Sequence, residues 1–113
     1  MLTIDALRQF GANVDEGLSR CMNNEAFYIR LVNMAAQDVG FDKLKEALVA
    51  GDQEAAFEAA HALKGVLGNL ALTPLYAPTS ELTELLRARA QGDHAGYLAE
   101  ILRKRDDLKA LCE

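Results

Sequence analysis

The chain has 113 residues, of which 50% are hydrophobic and 26% charged, with 12 basic against 17 acidic residues for a formal net charge of −5. That composition leaves room for one ordinary core and no second domain, and it is too apolar for a disordered chain. No basic block is present to meet a nucleic-acid backbone, no apolar run approaches the ~18 to 20 residues that span a bilayer, and the N-terminus lacks the charged-then-apolar plan of a secretory signal.

A cytoplasmic chain that binds neither nucleic acid nor membrane is therefore expected, and a monomer is its expected state. Leu and Ala number 18 and 19, whereas Val, Ile and Thr together number 12, so an all-α fold is the default. Cys21 and Cys112 lie far apart with no CxxC spacing, and both are expected to be helix-packing thiols.

In chain order, Thr3 can cap a short helix with Ile4, Leu7 and Phe10 on one face and Gly11 as its stop. Val14 to Met22 reads as a second short helix, closed by Asn23 and Asn24. Asn24 then caps a firmer third helix, in which Phe27, Leu31 and Met34 recur at i, i+4 and i+7 before Gly40. Asp42 to Ala50 forms a smaller helix around Phe41, Leu44 and Leu48, ended by Gly51. From the cap at Asp52, the apolar positions Ala56, Ala59, Ala60, Leu63, Leu67 and Leu70 predict a helix from Gln53 to about Leu72, roughly 20 residues and about 30 Å long.

Thr73 and Pro74 break that helix. Pro74 suits a first helical turn, but Pro78 would delete an internal hydrogen bond, which predicts either a kinked helix or a turn with a helix starting near Thr79 or Ser80. Leu82, Leu85 and Leu86 give this segment its core face, and Gly92 is expected to end it. Asp93 caps a last helix with Leu98, Ile101, Leu102, Leu108 and Leu111 inward and Arg103 to Asp107 on a solvated outer face. Short connections favour antiparallel neighbours, so the expected architecture is an up-down-up-down four-helix bundle with one or two short N-terminal helices. Met1 at the start and Glu113 at the end suggest a complete chain.

The chemistry is concentrated between His61 and Leu70. At 100° per residue, His61, Lys64, Gly65 and Gly68 project from one face, while Leu63, Leu67 and Leu70 point to the core. Each interior glycine costs about 1 kcal/mol relative to Ala, so keeping two of them implies a surface that must stay bare. Histidine ionises near pH ~6.5, so a neutral ring nitrogen can attack phosphorus without a separate base, and a lysine one turn away offers a mobile charge for the phosphoryl group. Glu54 and Glu58, one or two turns earlier, could orient the ring through its other nitrogen. His94, at a helix start, is expected at the surface.

The stretch His61-Ala62-Leu63-Lys64-Gly65, with Gly68-Asn69-Leu70 behind it, resembles the histidine-containing phosphotransfer (HPt) domain of multistep phosphorelays. Val14-Asp15-Glu16-Gly17-Leu18-Ser19-Arg20 and Phe27-Tyr28-Ile29-Arg30-Leu31 resemble the N-terminal half of the same family. The resemblance covers nearly the whole chain and implies that His61 accepts a phosphoryl group from a receiver-domain aspartate and passes it to another. It further implies that Lys64 holds that group and that Gly65 and Gly68 keep the docking face open. Phe57, and Ile4 or Leu7, would supply an apolar docking patch.

Leu67 and Ala71 depart from the small residue and the glycine that are frequent in the family, and Leu67 should point inward. Some members add a Gln or Arg from the following helix, for which Arg87 is the nearest candidate. No ATP-binding loop is present, so the chain is not expected to be the kinase; the resemblance implies a carrier without turnover of its own, with any Mg²⁺ on the receiver. The partner could belong to a hybrid sensor kinase. Two other classes stay open: a non-catalytic helical adaptor, and a bundle binding haem or metal through His61 and His94.

Overall fold

Residues 1–113 form seven helices and no strand in the computed structural model: α1 (Ile4–Phe10), α2 (Val14–Arg20), α3 (Glu25–Ala36), α4 (Gly40–Ala50), α5 (Gln53–Asn69), α6 (Thr73–Arg87) and α7 (His94–Cys112). Side-chain oxygens start five of them, with Thr3, Asn13, Asn24, Asp52 and Asp93 each accepting from a backbone N–H in the first turn. Each such cap contributes about 1 kcal/mol. Gly11 and Gly51 close α1 and α4 in left-handed conformation, at φ 105° and 74°.

α5 packs between α4 and α6, α6 lies against α7, and α7 returns to both α4 and α3, so four sides enclose one core. Turns of a few residues reverse the chain at Gly51 and at Leu70–Leu72, which makes the neighbours antiparallel. The expected helical bundle is the observed fold, with α3 and α4 sharing one side. No helix is long and apolar enough to cross a membrane. Cys21 and Cys112 are free thiols, one buried and one half-buried.

Several boundaries differ from the sequence expectation, each for a physical reason. In α3 the buried stripe is Tyr28, Val32 and Ala35, one residue on from the predicted Phe27, Leu31 and Met34, and Met34 is 61% exposed. A tyrosine can replace a hydrocarbon in the core when its hydroxyl finds an acceptor, and Tyr28 donates to the Leu70 carbonyl at 2.8 Å. Gly40 does not stop α3; it opens α4, its N–H donating to Asp38 Oδ1 at 2.7 Å. α5 ends at Asn69, because Ala71 turns left-handed at φ 55°. That conformation costs a non-glycine residue about 1 to 2 kcal/mol, which is why a glycine is the residue expected there.

α6 runs unbroken through Pro78 rather than starting near Thr79 or Ser80. Leu75, Pro78, Leu82 and Leu86 all lie on its buried face, so the proline ring is itself part of the core packing that offsets the missing hydrogen bond. The helix stops at Arg87, with Arg89 left-handed at φ 50°, ahead of the expected stop at Gly92. On α7, Arg105 departs from the fully solvated face that was expected: it is half-buried, with its guanidinium 5.4 Å from the Phe41 ring centroid.

The N-terminal helices are tied to the α5–α6 turn. A helix ends with carbonyls that lack intrahelical partners. Here the Gly68 carbonyl accepts from the Arg20 guanidinium, the Leu70 carbonyl from the Tyr28 hydroxyl, and the Ala71 carbonyl from the Asn13 N–H at 2.9 Å. α2 is thereby held beside the last turn of α5.

Burial, with a smaller contribution from nearby Cys21, pushes the Tyr28 phenol from its ordinary 10.0 up to about 12. The unfolded chain loses that proton first, so the associated stability is complete below pH 10 and lost as pH rises toward 12, on the order of 2 kcal/mol in total. Tyr28→Phe should begin about 1 kcal/mol less stable at neutral pH, with the Leu70 carbonyl unpaired, and should lack this part of the alkaline decline. Urea unfolding of both proteins between pH 8 and pH 12 checks this, and parallel curves would contradict it.

Candidate functional site

The periodicity that buries Ala56, Ala60, Leu63 and Leu67 of α5 against the bundle turns His61, Gly65 and Val66 outward. His61 is exposed, as its helical position predicts. Neither of its ring nitrogens has a hydrogen-bond partner within the chain, so Glu54 and Glu58, although exposed on the same helix, do not orient it as the spacing allowed. What touches the imidazole is Phe57, one turn earlier, stacked with ring centroids 5.5 Å apart and planes 17° from parallel.

The ring stands at the edge of an open cleft of about 600 Å³. From α5 the cleft takes His61, Lys64, Gly65, Gly68 and Asn69, so the four residues predicted to share a face do meet in one place. α2 adds Glu16 and Arg20, and the turn and first part of α6 add Ala71, Thr73 and Tyr76. These last residues are far from His61 in sequence, and no helical pattern could assign them to it. Arg20 is fixed by two contacts, an ion pair with Glu16 and the bond to the Gly68 carbonyl.

The two glycines serve different ends. A Cβ on Gly65 would meet nothing within 4 Å, so its backbone is open to an approaching molecule. A Cβ on Gly68 would lie 2.8 Å from Tyr76 Cε1. Gly68 therefore admits the Tyr76 ring against α5, and the expectation that it simply keeps the surface bare is corrected: the space is filled by this chain's own aromatic side chain.

Lys64 is not the freely mobile charge expected from its position. Its side chain is only 27% exposed, and its Nζ lies 3.6 Å from Glu84 Oε2 on α6. The other oxygen of that carboxylate is 3.3 Å from Arg87 Nε, and the Arg87 guanidinium lies 4.9 Å from the centroid of the Phe57 ring. Arg87 thus reaches the site through Phe57. The register of α6 through Pro78 is what brings Glu84 and Arg87 here, and the sequence alone left that register open.

Two further placements correct expectations. Leu7 is fully buried and unavailable for docking, while Ile4 is half-buried. His94 is half-buried rather than a surface residue, with its Nε2 enclosed and unpartnered. Leu67 is fully buried, as its inward direction implied. No three side chains of His, Cys, Asp or Glu converge as a metal cage.

The fold is an antiparallel helical bundle with an exposed, stacked histidine on one outer face, beside a lysine and an open glycine. Residues 31–113 match the family model described as Hpt domain, and the chain belongs to that family. Hpt domains carry out histidine phosphotransfer in two-component signalling as phosphocarrier modules, and they interact with the receiver domains of response regulators. No curated protein and no solved structure matches the chain. The family match begins within α3, so Glu16 and Arg20, which complete the cleft, lie outside it.

Proposed function

We propose that this chain is a cytoplasmic, monomeric phosphocarrier in which His61 accepts a phosphoryl group from one receiver aspartate and yields it to another. The observation that carries the reading is His61 itself: exposed, unbonded at both nitrogens and fixed in direction by the Phe57 stack. A neutral imidazole attacks phosphorus through its unprotonated nitrogen. The N–P bond forms as the aspartyl O–P bond breaks, the aspartate leaves as a carboxylate, and the other ring nitrogen keeps its proton. No base has to act.

In this reading Lys64 neutralises part of the charge on the transferred group, since an ammonium one turn from the ring can reach a phosphoryl group held on it. Gly65 offers bare backbone to the docking receiver. Phe57 chiefly holds the imidazole and adds to docking only what its stack leaves exposed. Mg²⁺ belongs with the receiver's carboxylates, and this chain needs no cofactor.

Incubation with a receiver domain charged by labelled acetyl phosphate tests the proposal. The chain should acquire label that is acid-labile and base-stable, mapping to His61, and Lys64→Ala should slow its appearance about tenfold while the fold is retained. A chain that took no label from any receiver tested but still supported signalling would favour the adaptor reading.

A further inference from the structure

Every cation that lines the cleft is already engaged by a carboxylate of this chain, Arg20 by Glu16 and Lys64 by Glu84. Glu84 has the wider reach, because it also pairs with Arg87, which lies over the Phe57 ring that stacks on His61. The contacts form a closed path: Lys64 to Glu84, Glu84 to Arg87, Arg87 to Phe57, Phe57 to His61, and one helical turn back to Lys64. The carboxylate that pairs with Arg87 therefore also holds the ammonium that shares the cleft with the imidazole.

We infer that Glu84 is a positioning residue that restrains charging of His61: it competes with the incoming phosphoryl group for Lys64 and must release the ammonium for transfer to proceed at its full rate. The inference rests on His61 being the acceptor. A phosphoryl group carries about two negative charges against one on the carboxylate, and both draw on the same Nζ. Glu84 is 56% exposed, and ion pairs in such settings contribute little, so the pair can be displaced and the restraint is partial. Replacing the carboxylate with its neutral isostere should leave Lys64 free before the donor arrives. By the usual strength of exposed pairs, charging should quicken about 1.5- to fivefold.

The test uses the full chain and phosphoramidate, a small donor that needs no cognate receiver. Here the His61 N–P bond forms, the donor's P–N bond breaks, and ammonia leaves. The rate of phosphohistidine formation is followed for the wild type, Glu84→Gln, Lys64→Ala and the double variant, with circular dichroism to verify the fold. Glu84→Gln should charge about 1.5- to fivefold faster than wild type, while in the Lys64→Ala background the same substitution should change nothing.

Equal rates in wild type and Glu84→Gln would overturn the inference and leave His61 as acceptor. An acceleration that survived loss of Lys64 would also overturn it, since the carboxylate would then act by another route. A wild-type chain that gained no label at His61 would overturn the phosphocarrier reading, and this inference with it.

Discussion

His61→Gln is expected to reduce phosphoryl acceptance to the limit of detection while leaving thermal stability nearly unchanged. Glutamine approximates the reach and polarity of the imidazole, but its amide nitrogen has no lone pair free to attack phosphorus. The side chain is exposed and makes no hydrogen bond within the chain, so its removal breaks only the stack on Phe57. Exposed changes of this kind typically lie within about 0.5 kcal/mol, a shift of no more than a few degrees in Tm for a domain this size. Label transfer and a melting curve on the same preparation check both halves. Label retained in the variant would move the acceptor elsewhere, with His94 as the remaining histidine.

Gly17→Ala is expected to cost about 2 to 3 kcal/mol, far more than an alanine at an ordinary helical position. A Cβ there would lie 2.5 Å from Tyr28 Cε1, 2.7 Å from Cζ and 2.8 Å from the hydroxyl oxygen. The obstacle is the rigid end of a buried ring, and the ring cannot withdraw without breaking its bond to the Leu70 carbonyl. Overpacking of this sort costs typically 1 to 3 kcal/mol, and an orphaned carbonyl adds to it.

Gly65→Ala provides the contrast. Nothing stands within 4 Å of its added methyl group, so helix propensity alone operates and the variant should gain up to about 1 kcal/mol. Urea unfolding of the three proteins should rank Gly65→Ala above wild type and Gly17→Ala well below it. A Gly17→Ala protein as stable as wild type would show that α2 can move away from α3 at little cost. Since α2 carries Arg20 to the cleft, loss of this packing should also loosen one wall of the site.

Much of the candidate site was readable because it is local. His61, Lys64, Gly65 and Gly68 belong to a single helix, and a period of 3.6 residues fixes which of them share a face. The caps at Thr3, Asn24, Asp52 and Asp93 were equally legible, since each depends on contacts only a few residues away. Where helical periodicity misplaces a residue, a distant partner is responsible. Tyr28 displaced the expected α3 stripe because its hydroxyl is satisfied by Leu70, 42 residues away. Pro78 stays helical because the core accepts its ring. Gly68 looked bare until Tyr76 of α6 occupied the space above it.

The order of residues along the chain was enough to determine an all-helical bundle and an outward imidazole with a lysine one turn on, because helical periodicity and capping act over a few residues and survive without knowledge of neighbours. Only the tertiary structure decided what surrounds that imidazole: Arg20 arriving from α2, Glu84 restraining Lys64, and Arg87 covering Phe57. Those contacts join helices whose relative register is set by packing and by the paired carbonyls at the end of α5. That information resides in the fit between surfaces, and no short-range pattern carries it.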